Sequence, residues 1–91
     1  MYKKLIYSDL FTESLNEIRI YVAKDSIIQA EIFIDKILEK TKNLENFPYL
    51  GTKIEGNLYQ YIINKNYLVY YLISDSRILI LYIINVKINP N

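Results

Sequence analysis

The sequence predicts an α+β domain in the order β-α-α-β-β-β, with a helical hairpin packed on one face of a small, antiparallel-dominated sheet. Three observations predict it. Two consecutive stretches place apolar residues three and four apart. Pro48 and Gly51 then punctuate the chain. Beyond Gly56 the chain is rich in Ile, Leu and Tyr and is broken only by short polar runs.

Residues Tyr2 to Tyr7, "YKKLIY", have the β-branched and aromatic content of a first strand. Ser8 or Asp9 offers a side-chain cap. Phe11, Leu15, Ile18 and Val22 then form one face of a helix over Asp9–Lys24, and Leu10 and Tyr21 widen that stripe. Ser26 with Gln29 three residues on matches a capping box. Ile27, Ala30, Ile34, Ile37, Thr41 and Leu44, flanked by Phe33 and Leu38, predict a second helix over Ser26–Glu45. The short connection predicts an antiparallel helical hairpin. Pro48 ends it, and "FPYLGT" turns the chain. Residues 58–64, 67–74 and 77–85 read as three strands joined by Asn-Lys-Asn and Ser-Asp-Ser, connections short enough to require hairpins.

The last two strands are apolar on both sides. Simple alternation puts Ile78, Ile80, Tyr82 and Ile84 on one face, and Leu79, Leu81 and Ile83 on the other. Helices cover one face of such a sheet, so the second predicts a partner, with Leu79, Leu81, Ile83, Tyr70 and Leu72 as its contact residues. A strongly curved sheet sheltering its own concave face is the alternative.

The 91 residues suit one domain, 1–91, with one core. There is no cysteine, which excludes disulfides and thiolate metal sites and suits a cytoplasmic setting. There is no histidine, so any general base must be Lys, Arg, Tyr, Asp or Glu. No Gly-rich phosphate loop, carboxylate metal cluster or serine-nucleophile motif is present, and no cofactor is expected. The net charge of +1 supplies no global field toward nucleic acid. Met1-Tyr2-Lys3-Lys4 has no apolar region behind it, so no secretion signal is expected. Asp75 and Arg77 interrupt the apolar tail, so no membrane span is expected either. Tyr59, Tyr61, Tyr67, Tyr70, Tyr71 and Tyr82 fall on strands; without a basic groove around them they read as strand and interface residues rather than base-stacking platforms.

The element order, with "FPYLG" at the hinge, resembles the RelE/ParE superfamily of toxins from type II toxin–antitoxin systems. "YSDLFTESLNEIRIYVAKDS" is similar to that family's first strand end and first helix, and "AEIFIDKILEKTKNLENFPYLG" to its second helix and Phe-Pro hinge. "YLVYYLI" resembles a strand usually written Tyr-Arg-x-x-Tyr-x-Ile, and "ILILYIINVKINP" an ending usually written Ile-x-x-His-x-Arg-x-x-Pro. The family's strand arginine thus falls on Leu68, its histidine on Asn85 and its later arginine on Lys87.

The resemblance implies a cognate antitoxin, a toxin–antitoxin hetero-oligomer and one of three activities. ParE-like members bind a target, usually DNA gyrase. RelE-like members cut mRNA on the ribosome without metal, using Lys and Arg to activate the ribose 2′-hydroxyl. A non-toxic member would keep antitoxin binding only. Cleavage would rest on Lys53, Lys65, Arg77 and Lys87, with Lys87 the best positional match and its neighbours Val86 and Ile88 offering partial burial. A turn contact to Asp75 explains Arg77 equally well. The near-neutral charge, Leu68 and Asn85 weigh against the RelE-like reading, so the ParE-like one is favoured over it, and the sequence does not separate the ParE-like reading from the non-toxic one.

Overall fold

Ser8 sets where the first helix begins. Its backbone is extended, and its Oγ accepts from Phe11 N at 3.0 Å, so one otherwise orphaned helix amide is satisfied. The helix, α1, runs Asp9–Ala23. Ser26 caps the second helix, α2 (Ile27–Lys42), by accepting from Gln29 N at 3.2 Å. The return bond of a capping box is replaced: Ser26 N donates to Val22 O, which ties the two helices across their turn. A 3-10 turn at Asn43–Glu45 carries α2 toward Pro48. The computed structural model from which this geometry is read describes residues 3–87.

The strands are β1 (Lys4–Tyr7), β2 (Thr52–Glu55), β3 (Leu58–Ile63), β4 (Tyr67–Ile73) and β5 (Arg77–Asn85), in the sheet order β1-β5-β4-β3-β2. β1 lies parallel to β5, and the other neighbours are antiparallel. The predicted α+β architecture is therefore observed, with an interior β5. One strand was not expected. All four residues of β2 are exposed, so it shows no apolar alternation, and it forms the sheet's outer edge beside β3.

Phe11, Leu15 and Ile18 from α1 meet Ile34 and Ile37 from α2 over Val69, Tyr71, Ile78 and Ile80 from the sheet. The predicted helix stripes are these core faces. Ile27 departs from its stripe: it is 72% exposed at the hairpin's tip, where α1 has already ended. Two buried hydroxyls are satisfied. Thr41 Oγ1 donates to Leu38 O at 2.9 Å and shares a 2.8 Å bond with Tyr7. Tyr71 donates to Pro48 O at 2.7 Å and accepts from Gly51 N at 2.9 Å, so one phenol holds the "FPYLG" loop against the sheet. A side chain at position 51 would collide with the backbone O of Gln60 and the Tyr71 hydroxyl, which explains glycine there.

The alternation predicted for β5 fails at one residue. Tyr71 pairs with Ile80 and Tyr70 with Tyr82, so Leu81 is a bulge. Ile78 and Ile80 point to the helices before it; Ile83 does so after it, and Tyr82 and Ile84 turn to the open face. Ile83, expected on the partner side, is 2% exposed in the core.

Candidate functional site

β1 is shorter than β5, and that mismatch makes the site. β1 pairs with Arg77 to Ile80 only, so past Ile80 that edge of β5 has no strand beside it. α1 lies there instead. Ser8 Oγ donates to Leu81 O, and Ser14 Oγ accepts from Ile83 N at 3.2 Å while donating to Phe11 O at 3.0 Å. Between helix and strand runs a groove of about 510 Å³, walled by Leu10, Ser14, Glu17, Ile18 and Tyr21 on one side and by Tyr82, Ile83, Ile84 and Asn85 on the other. Leu10 is 55% and Tyr21 49% exposed.

Tyr82 and Ile84 also belong to the sheet's open face, so groove and face are continuous. In register across that face stand Leu58, Leu72 and Leu79, then Gln60, Tyr70 and Tyr82, then Ile62, Leu68 and Ile84. Tyr70 and Tyr82 stack with centroids 4.9 Å apart. The expected contact residues Leu79, Tyr70 and Leu72 lie on this face, Leu81 is the bulge beside it, and Ile83 lies beneath it. Sequence reasoning missed the α1 wall. Its signal was the width of the stripe: Leu10 and Tyr21 exceed what one packed face needs.

The four candidate cations do not converge. Lys65, at φ 65°, sits in the β3–β4 turn, and Lys87 lies just past β5; the Val86 N to Asn66 O bond of 2.8 Å brings these two to one end of the sheet. Arg77 opens β5 at the other end, about 27 Å from Asn85 at the rise of an extended strand. Lys53 lies on the outer edge strand, opposite Tyr59. All four are exposed, Lys87 included, so the partial burial expected for it is not found. Arg77 does not pair with Asp75: among the described residues the one ion pair is Arg19–Glu31, at 3.4 Å, and Lys3 Nζ takes Ser74 O and Asp75 O.

Where the resemblance implies the catalytic arginine, Leu68 stands among Ile62 and Ile84 on the open face. Where it implies histidine, Asn85 Nδ2 donates to the Tyr67 hydroxyl at 2.9 Å and Oδ1 accepts from Lys87 N at 2.9 Å, so this side chain ties the strand's end together. Burial pushes the Tyr67 and Tyr71 hydroxyls above the usual tyrosine range; the Asn85 bond and the Gly51 N bond, respectively, pull the other way.

Residues 5–90 match the model of a family described as the ParE toxin of type II toxin-antitoxin system, parDE. The chain belongs to that ParE family. It is a ParE-like toxin of a type II toxin–antitoxin system. Among solved structures, one from the chromosomal ParDE system of P. aeruginosa is similar, at a TM-score of 0.82 and 16% identity, covering 93% of this chain and 97% of that one. The RelBE2 toxin–antitoxin complex of Mycobacterium tuberculosis has a chain at TM-score 0.70 and 12% identity, with 93% and 99% covered. A conserved hypothetical protein of Helicobacter pylori reaches 0.59 at 19% identity, with 96% and 97% covered. At these identities the structures show the shared fold. No protein with a curated description matches the sequence. No helix among the described residues of this ParE-family chain is long and apolar enough to cross a membrane.

Proposed function

We propose that this ParE-family toxin acts in the bacterial cytoplasm by binding a target, with DNA gyrase as the family's usual one, and that a cognate antitoxin neutralises it by filling the groove between α1 and β5 and spreading over the adjoining sheet face. The observation that carries this reading is the continuous apolar surface made by Leu10, Tyr21, Tyr82, Ile84, Leu68 and Leu72, which no element of the chain covers among the described residues. A hetero-oligomer then results from the same contact. The dispersal of Lys53, Lys65, Arg77 and Lys87 supports binding over RNA cleavage, which needs an acceptor, a donor and phosphate-neutralising charge at one point.

Controlled expression in a bacterial host tests it. Growth arrest with a DNA-damage response, relieved by co-expression of an adjacent antitoxin gene, is the expected result. One observation favours a second activity: Lys65 and Lys87 share one end of the sheet. Arrest with mRNA cut at codon boundaries, abolished by Lys87→Ala, would establish that ribonuclease reading and remove the gyrase one. Absence of arrest at verified expression would leave antitoxin binding as the only activity.

A further inference from the structure

The helical hairpin turns another apolar surface outward, on the side away from the sheet. Ile20 of α1 and Ile28 and Ile32 of α2 lie opposite the stripes that these helices give to the core, and they are 57%, 72% and 49% exposed. Ile27 joins them at the hairpin's tip. Together they leave roughly 400 Å² of aliphatic surface in water, about as much as the largest apolar patch of an ordinary monomer. A β-branched side chain gains a helix nothing over Lys or Glu at such positions, so the helices themselves do not account for them.

The Arg19–Glu31 ion pair, at 3.4 Å, fixes the heights of the two helices. Each step along α1 is matched by a step back along α2, so Ile20 stands level with Ala30, midway between Ile28 and Ile32. A second copy turned about a two-fold axis parallel to the helices lays its α1 on this α2. Ile20 then enters the gap between Ile28 and Ile32 of the second copy, as a knob into a hole, and symmetry forms the reverse contact. Every adjacent pair in the resulting four-helix bundle runs antiparallel.

The same turn matches charge. Lys24 comes level with Asp25 of the second copy, Glu13 with Lys36 and Asp9 with Lys42, each to within a residue. All six are exposed, and none is in an ion pair among the described residues. Asp35 and Glu39 share their stretch of α2 with Lys36 and Lys42 and leave it neutral, so the acidic start of α1 meets no net charge of its own sign. A foreign partner would have to supply this alternation of signs, whereas a second copy already carries it. With α1 about 22 Å long and two helices about 20 Å wide, the face offers about 450 Å² per copy and about 900 Å² in the pair. That is the size of a weak, concentration-dependent contact.

We propose that the protein self-associates through the outer face of its helical hairpin, as a symmetric dimer in which α1 of each copy packs on α2 of the other. The groove beside β5 lies on another flank of α1 and stays open in this dimer, so the two surfaces act independently.

Sedimentation of the whole protein from about 5 μM to about 1 mM tests the dimer, and half-association is expected between about 10 and 500 μM. Ile28→Asp, at an exposed site where circular dichroism checks the fold, should weaken it at least about tenfold. Lys24→Asp should weaken it too, and adding Asp25→Lys should restore it. The chain has no cysteine, so Ile20→Cys and Ile28→Cys give a clean crosslink. Mixed together under oxidising conditions, these two variants should form the 20-to-28 disulfide between copies faster than either forms a disulfide with itself. A monomer at every concentration overturns the proposal. A dimer that Ile28→Asp leaves intact and Leu10→Asp dissolves gives the contact to the groove and overturns it as well. Failure of the double charge reversal to restore what Lys24→Asp loses overturns the charge matching. Preferential crosslinking of Ile20→Cys with itself overturns the pairing of α1 with α2.

Discussion

The two halves of β5 differ more than any two neighbouring stretches of this molecule. From Arg77 to Ile80 the strand is held on both sides, by β1 and β4, and its even-numbered side chains enter the core. From Tyr82 to Asn85 it is held by β4 alone, α1 replaces the second neighbour, and Ile83 enters the core instead. One extra residue, Leu81, separates these regimes. The bulge changes which side chains face the helices, and the end of β1 opens the wall of the groove. The first half is built into the sheet on both sides, and the second half shares its residues between the core and the groove.

Substitutions on either side of Leu81 are the strongest way to break that contrast. Ile80→Ala and Ile83→Ala should each cost about 2–5 kcal/mol in urea unfolding, because both empty a closed core, whereas Ile84→Ala, at a residue 37% exposed, should cost under about 1 kcal/mol. Equal losses at Ile83 and Ile84 would mean that no switch of faces occurs. Tyr71→Phe comes next. It strips Pro48 O and Gly51 N of their partner opposite the first half, at a cost of about 1–3 kcal/mol. It should also change the alkaline limb of stability. Burial raises the folded-state pKa of Tyr71 above the ordinary 10.0, so its contribution is fully present below that value and is lost as pH rises through the folded-state value. The Phe variant should lose less stability above pH 10.0 than the parent does.

Deleting Leu81 sharpens the comparison further. A regular strand would then carry Ile80 inward, Tyr82 outward and Ile83 inward, so the fold should survive with cooperative melting and a loss of about 1–2 kcal/mol. A chain without the bulge would instead turn every later side chain to the wrong face and fail to fold. The smallest effect belongs to Ser14→Ala, which takes the hydroxyl from Ile83 N at a part-buried site and should cost about 0.5–1.5 kcal/mol, with faster amide exchange at Ile83.

Range along the chain decided how much of this was legible in the sequence. Ser8 and Ser26 act on amides three residues away, and the stripes of α1 and α2 repeat within a few turns; both could be read directly. Pro48 and Gly51 marked the hinge by their own chemistry, the resemblance carried the family, and the fold and the ParE match agree with it. β2 was invisible because an exposed edge has no apolar rhythm. The bulge was invisible because Leu79, Leu81 and Ile83 are interchangeable in an apolar run, and only pairing with β4 shows which is extra. The groove needed a comparison of strand lengths between residues about seventy positions apart, as in the Ser14–Ile83 bond. The separation of Arg77 from Lys87, by contrast, was implicit in the predicted strand 77–85, which sets the two at its opposite ends.

The Tyr71 phenol reaches through the sheet's helix side to grip Pro48 and Gly51, and Tyr49 and Leu50 between them stand out into water. A loop gripped at two points cannot lengthen or shorten by a residue without letting go of one. The spacing of the hinge is therefore metered by a single side chain twenty positions downstream, and the two protruding residues are presented at a fixed height above β3 whatever chemistry they carry.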